Sequence, residues 1–488
     1  MFRRPSARQL FIQRVIVYAV MTLSVLVIVA GAILFTLGYR LDSANGRLEQ
    51  GALIQFDSQP GGATVSIDGK TLLGRTATKQ TVVAGTHSFM MTRDGYQPWE
   101  KTVDITAGTL TWFDYVRLVP TTLTPESVSS FASIVDAKTS PDRKKMIIQE
   151  KRDTPTFQIV DISSDTTRTT TVTLPADDYS GAGASDVTHT FAVQSWDQNG
   201  RHVLIKHNYN DSVEWIVLDV ENAAASVNIT TALNISLRTA SFVGTSGNLL
   251  FGLSTEGIIR KLDLSAQTIS RGLVTNVRSF ELYKTDIISY VGVDPNNKDK
   301  TVVGIYKDGD DAPRVLASTT LDVPLGITTT RYLNDDYVAI AKGLQVDVLR
   351  GRLPASNDLD NSSLEAVGEF TVADEIDAMS FSTEGDFLVV QSGLNLTSFE
   401  LDHLRTTEGV VATSEAAPHE LRWLDEAYLW SVYDGHVSIR EFDGTNVHVL
   451  NVAEPSFDIA LTENGRYLYS ITKTENVYQL QRIKMIID

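Results

Sequence analysis

The 488-residue chain contains no cysteine. That absence excludes disulfide bridges, thiolate metal sites and cysteine nucleophiles. An exported eukaryotic ectodomain of this length would ordinarily carry bridges, so the composition leans towards a bacterial envelope protein that needs no oxidative folding. Catalytic signatures are missing too. The sequence has no G-x-S-x-G elbow, no G-x-x-x-x-G-K-[ST] loop, no G-x-G-x-x-G fingerprint and no H-E-x-x-H. Long Ala/Leu/Glu/Lys stretches are also wanting. Short runs of Thr, Ser, Val and Ile take their place, which favours strands over helices.

Positive charge is in short supply. Lys and Arg number 42 against 60 Asp and Glu, a formal charge of −18. The first 40 residues hold five Arg and no acid, leaving 37 basic against 60 acidic side chains beyond them, a net −23. Such a surface repels phosphate backbones, which argues against nucleic acid as a partner. Its main effect is solubility. A hydrophobic content of 42% and a charged content of 21% give a globular balance, and the length exceeds one ordinary core. Two or three folded units are expected.

From Val15 to Gly38 there is no charge at all: VIVYAVMTLSVLVIVAGAILFTLG. As a helix at about 1.5 Å per residue, this run reaches roughly 36 Å, enough to cross a hydrocarbon core of about 30 Å with some tilt. It has no polar face, so a core helix is the poorer reading. A cleaved signal peptide is the other alternative, with Ala30-Gly31-Ala32 as its exit, but apolar residues continue past that point. Arg3, Arg4, Arg8 and Arg14 precede the run and Arg40 alone closely follows it. The positive-inside rule then expects a cytoplasmic basic tail (1–14), a transmembrane helix (15–38) and everything beyond outside the cell. The expected location is the plasma membrane, single-pass.

After a polar linker (39–50) comes a compact alternation of strands and turns over 51–119. ALIQFDS meets the turn Gln59-Pro60-Gly61-Gly62, and ATVSIDG closes on Asp68-Gly69, a good hairpin signal. In TLTWFDYVRLV, period two puts Leu110, Trp112, Val116 and Leu118 on one expected face. The order PGGA-x-V-x-I-D-G-K, a Gly-Arg-Thr step, A-G-T-H and R-D-G-Y-x-x-W resembles a PEGA domain over roughly 52–119. That resemblance implies a small β-module of surface and envelope proteins. Gly61 stands where the family has Glu, and Arg75-Thr76-Ala77 lacks the usual Pro. Tyr96, Trp99, Trp112, Phe113 and Tyr115 could stack on sugar rings, but a domain of this size needs aromatics for its own core. His87 reads as a strand residue.

From 120 to 488 one pattern recurs: an apolar strand, a Ser/Thr/Asp/Asn/Gly turn, and a second apolar strand. The instances are 136–149, 193–206, 241–253, 278–291, 330–341, 379–391, 421–432 and 459–471. Further strands ending on Asp follow several of them, in FQIVDI, EWIVLDV, IIRKLDL and LTSFELD. A spacing of about 40 to 58 residues between turns suits four-stranded propeller blades better than sandwich domains. The turn motif resembles TolB-like and WD40-like repeats, which implies a fold and not an activity. The expectation is all-β: an N-terminal transmembrane helix, a PEGA-like module, and a propeller of eight blades, with seven as the alternative. A strand near 121–127 (TTLTPES) is expected to complete the last blade, since a ring leaves no open edge.

No residue is singled out as catalytic, cofactor-binding or metal-ligating, and no cofactor is expected. The Gly-rich stretch Tyr179 to Ser185 reads as a flexible loop. His189, His202, His207, His403, His419, His436 and His448 are scattered. The acidic loops Asp294 to Asp299, Asp308 to Asp311 and Asn357 to Asn361 lack the spaced order of a calcium loop. Sequons at Asn210, Asn228, Asn234, Asn361 and Asn395 are near what a Ser/Thr-rich chain produces by chance. The expected function is a non-enzymatic binding platform for a protein or a cell-surface glycan. A TolB-like assembly or transport accessory and a propeller hydrolase or lyase are the alternatives. Acids and a histidine converging on the propeller axis would favour the enzyme. An exposed apolar or aromatic patch would favour the platform.

Overall fold

The computed structural model describes residues 7–36, 39–41, 48–353, 364–411 and 420–487. Arg3, Arg4, His419 and the loop from Asn357 to Asn361 lie outside them. The chain divides into two units, Met1–Thr122 and Leu123–Asp488.

The first unit begins with helix α1 (Ala7–Thr36), whose stretch Phe11–Leu34 is long and apolar enough to cross a membrane. It starts before the uncharged run, because Arg8 and Arg14 are good helix formers despite their charge. Residues assigned to the linker are partly ordered as strand: β1 (Tyr39–Leu41) pairs antiparallel with the start of β2 (Leu48–Gln59). The module continues with β3 (Thr64–Ile67), β4 (Lys70–Arg75), β5 (Thr78–Val83), β6 (Gly85–Thr92), β7 (Trp99–Ile105) and β8 (Leu110–Arg117). In one sheet β2 is flanked by β5 (antiparallel) and β8 (parallel); the other has the order β4-β3-β6-β7. Asp68 (φ 49°) and Gly69 (φ 75°) make the tight β3–β4 turn expected of that dipeptide. Thr76 locks the module: its hydroxyl meets Ser58 Oγ at 2.7 Å and accepts from the Ala63 amide at 2.9 Å.

The expected face of β8 is not the observed one. Phe56 opposes Phe113 but Ser58 opposes Val116, so β8 carries an extra residue between these pairs. An extra residue inverts the side-chain parity of the strand beyond it. Phe113, Val116 and Leu118 point inward, whereas Leu110 and Trp112 stand on the outer face, 38% and 43% exposed. The core is aromatic: Phe56, Phe89 and Trp99 each pack on Phe113 with ring centroids 5.0–5.9 Å apart.

The second unit is a β-propeller. Its described residues form four-stranded antiparallel sheets 1 to 7 (136–173, 189–228, 237–269, 277–320, 325–371, 378–410, 422–452) and sheet 8 (460–484). The fourth strand of sheet 8 is β9 (Glu126–Phe131), paired with Val477–Lys484. The closing strand therefore lies later than TTLTPES. Pro125 has no N–H to give a ladder, so pairing starts at Glu126. First strands of successive sheets approach one another, in sheets 1 and 2 and again from 3 through 6. Fourth strands such as Arg168–Thr173 are largely exposed. First strands therefore line the axis.

Apolar layers fill the gaps between sheets. Phe131, Met146 and Ile148 meet Tyr469, Ile471 and Leu480 between sheets 1 and 8, which closes the ring. Phe157, Phe191 and Ile216 lie between sheets 1 and 2. Phe387 of sheet 6 stacks on Phe442, beside sheet 7, at 3.6 Å. Each such side chain contributes about 1.5–3 kcal/mol on burial. The recurrent turns are locked by their own polar residues. Ser140 Oγ bonds Asp142 at 2.6 Å, and Thr462 Oγ1 bonds Asn464 at 2.8 Å. Asp197 accepts from the Arg201 amide at 2.9 Å and pairs with His202 at 2.6 Å. The same side chains also accept from the turn backbone, Ser140 Oγ from the Lys145 amide at 3.0 Å and Asn464 from the Arg466 amide at 2.9 Å, which favours Asp, Asn, Ser and Thr there.

Candidate functional site

A cleft of about 700 Å³ opens where the first strands of sheets 4, 5 and 6 meet the axis. Ser279 and Glu281 come from Val277–Tyr283, Leu325 and Ile327 from Leu325–Tyr332, and Met379 from Ala378–Phe381. The segments leading into these strands add Asp322, Glu375, Ile376 and Asp377. Four carboxylates thus face an aliphatic floor, and among the described residues no Lys, Arg, His or aromatic side chain lines the cleft. Glu281 touches solvent yet has protein around it. That enclosure raises its carboxyl above the ordinary range, partly offset by a hydrogen bond with Thr328. Asp322 is held low, chiefly by the Thr320 hydroxyl. Asp377 Oδ2 accepts from the Gly393 amide at 2.7 Å. Acids therefore converge near the axis, but without a histidine. Ser279 is the only lining hydroxyl among the described residues, and it shares its strand face with Glu281.

The histidines do meet elsewhere. A two-residue turn at Asn210-Asp211 sets Tyr209 opposite Ser212, which puts His207 opposite Glu214. Both are fully buried, and His207 Nδ1 lies 2.7 Å from Glu214 Oε1. The ring lies nearly parallel to those of Phe191 (4.2 Å), His189 (5.2 Å) and Tyr209 (5.4 Å), with Tyr179 edge-on. His207 Nε2 meets His189 Nδ1 at 3.0 Å. Ser180, from the stretch expected to be a flexible loop, donates its amide and hydroxyl to Glu214 at 2.8 Å each. Burial pushes the Glu214 carboxyl up, but hydrogen bonds from His207, Asn228 and Ser180 outweigh it and bring it down to about 2. The carboxylate stands between serine and imidazole, so His207 cannot deprotonate Ser180 directly. This is a buried structural network, unlike a Ser-His-acid triad. The turn dipeptide signals the His207–Glu214 pairing in the sequence; Ser180, 34 residues before Glu214, gives no such signal.

Other sequence candidates resolve into structure. Tyr96, Trp99 and Phe113 are buried, Trp112 is exposed, and half-buried Tyr115 accepts from Lys101 Nζ at 3.1 Å. These rings form no shared sugar platform. His87 pairs with Asp68 at 2.6 Å and meets the Val83 carbonyl at 2.9 Å; the His87 bond holds the Asp68 carboxyl low. His403 is raised by Glu400, and burial depresses His448 to about 4. In the acidic loops, Asp294 accepts from the Asn296 amide and Asp308 pairs with Lys261. Asp310 is buried and burial raises its carboxyl. Among the described residues no group of three or more His, Asp or Glu could hold a metal ion. Asn228 caps the short helix α2 (Ile229–Leu233), and Asn234 ends it in the left-handed region.

Residues 52–121 match the model of the PEGA domain. No curated protein matches the chain. Among solved structures it is similar to the β-propeller domain of Cps50 (Swd1) from Myceliophteria thermophila, at 12% identity over 74% of this chain and 98% of that one, with a TM-score of 0.37. It is also similar to the computationally designed Ika8 protein (14% identity, 74% and 98% covered, TM-score 0.43). A third is an oligogalacturonate lyase in complex with manganese (10% identity, 74% and 97% covered, TM-score 0.42). Residues 52–121 are thus a PEGA domain, in a chain that also carries an N-terminal apolar helix and a β-propeller.

Proposed function

We propose that this is a plasma-membrane protein of a bacterial envelope, with its N-terminus in the cytoplasm and the PEGA domain and propeller outside. The divisions are a basic tail (1–14), a span (15–38), a short connection (39–50), the module (51–119) and a propeller (120–488) whose eight sheets are eight blades. Four arginines before the span against one after it support the orientation. The propeller acts as a non-enzymatic platform that binds a protein partner through the axial cleft. The observation that carries this reading is the lining: Glu281, Asp322, Glu375 and Asp377 over Leu325, Ile327, Ile376 and Met379, without one cation among the described residues. Carboxylates steer and orient a basic segment, while the aliphatic floor supplies burial. A glycan would call for aromatic platforms, and the described lining has none.

The test uses the full chain in lipid nanodiscs and synthetic peptides that alternate Lys or Arg with Leu or Ile. Wild type should retain these peptides and reject counterparts with Glu in place of the cations. Replacing two carboxylates, Glu281→Gln with Glu375→Gln, should weaken retention about tenfold or more, roughly 1.4 kcal/mol or beyond, and flatten its salt dependence. Equal retention by the double variant, or none by wild type, would overturn the reading.

A further inference from the structure

The outer face of the β8–β2–β5 sheet carries an apolar group that stands exposed among the described residues. Leu110 and Trp112 of β8 lie beside Leu53 and Gln55 of β2, and across β2 from them stand Thr81 and Lys79 of β5. Val83, opposite Gly51, is 48% exposed, and Lys79 is exposed as well. The same strand β2 is tied to the apolar helix, because its residues Leu48–Gln50 pair with β1, which starts three residues after Thr36. Along the sheet, polarity rises with distance from that junction. Val83, Leu53 and Leu110 come first, Trp112 and Lys79 next, and exposed Asp57 and Asp114 last. From Gln50 to Gln55 the strand advances only about 17 Å.

We propose that this face lies on the headgroup layer of the membrane that α1 enters, with Trp112 as its interfacial anchor. The proposal rests on α1 being a membrane span. Three features select lipid over a protein. The patch is continuous with the span, so no separate docking event is needed and a weak contact suffices at high local concentration. It comprises few side chains, far short of the roughly 800 Å² per partner of a stable protein interface. Its chemistry is that of an interface belt: an indole with one polar edge, aliphatic neighbours and a lysine placed to meet anionic headgroups. Asp57 and Asp114 at the far end face water.

The lack of native cysteine makes a single introduced thiol a unique reporter. The full chain, reconstituted in phosphatidylcholine/phosphatidylglycerol nanodiscs with and without headgroup-proximal doxyl lipid, is labelled with an environment-sensitive fluorophore. Val83→Cys reports the proposed face, and Thr102→Cys, exposed on β7 of the opposite sheet, is the control. The Val83→Cys label should emit to the blue and lose at least half its intensity to the doxyl lipid. The Thr102→Cys label should be water-like and unquenched. Adding Trp112→Ser should reduce quenching at the first site by twofold or more. A water-like label at Val83→Cys, a shielded one that lipid does not quench, or quenching indifferent to Trp112→Ser would each overturn the proposal. A chain that does not enter nanodiscs overturns the span itself, and this is read separately from co-purification with the disc.

Discussion

Deleting Glu126–Phe131 from the full chain abolishes the cooperative unfolding transition of the propeller. Without β9, the strand Val477–Lys484 loses every partner on one side, from Phe131 opposite Tyr478 to Glu126 opposite Arg482. The apolar layer between sheets 1 and 8 loses Phe131, and Leu480 and Tyr469 are left facing the gap. An open edge with apolar flanks also invites aggregation. A milder variant separates closure from gross misfolding. Phe131→Ala removes one side chain that is 8% exposed and keeps the strand. It should cost about 3–4 kcal/mol, read as a lower denaturant midpoint at unchanged slope. A midpoint within about 0.5 kcal/mol of wild type would mean that β9 does not close the ring.

The second large effect lies at Glu214. Its carboxylate accepts from the Ser180 amide and hydroxyl and faces the buried His207 ring. Glu214→Ala leaves these donors without a partner in a dry interior, and should cost about 3–5 kcal/mol at neutral pH. Ser180→Ala removes only the hydroxyl and should cost about 1 kcal/mol. The pH dependence has a definite sign. The Glu214 carboxyl is depressed in the folded state, from 4.5 to about 2. Its contribution is therefore whole above the unfolded value and is lost as pH falls towards the folded one. It amounts to something on the order of 3 kcal/mol. Urea midpoints of wild type and Glu214→Ala should stand far apart at pH 7 and converge as pH falls towards 2. A gap that is the same at pH 7 and at pH 2.5 would show that the carboxylate charge is not what holds the network.

Local chemistry was legible in the sequence, and long-range chemistry was not. The blade turns announce themselves because Ser140 and Asp142, or Thr462 and Asn464, accept from backbone amides within a few residues. Asp68-Gly69 is readable for the same reason: two residues with positive φ specify one turn. The closing strand was expected in kind, but its start depended on Pro125, whose missing N–H moves pairing to Glu126. Trp112 and Val116 do not share the one face that strict period two gives them, because β8 has an extra residue after Phe113. Ser180 and His189 joined the His207–Glu214 pair through tertiary packing, which no spacing reveals. The axial cleft was the least legible feature. Glu281 lies in sheet 4, Asp322 leads into sheet 5 and Glu375 into sheet 6, and they become neighbours only when the ring forms.

Orientation across the membrane is the point on which the functional reading turns. The chain has no cysteine, so Glu384→Cys, in the exposed turn between the first two strands of sheet 6, and Ser6→Cys, ahead of the span, can each be probed alone. Intact cells producing either full-length variant are treated with a membrane-impermeant maleimide. The thiol of Glu384→Cys should be labelled at once and that of Ser6→Cys only after lysis. Labelling of Glu384→Cys only after lysis would contradict a propeller presented outside the cell.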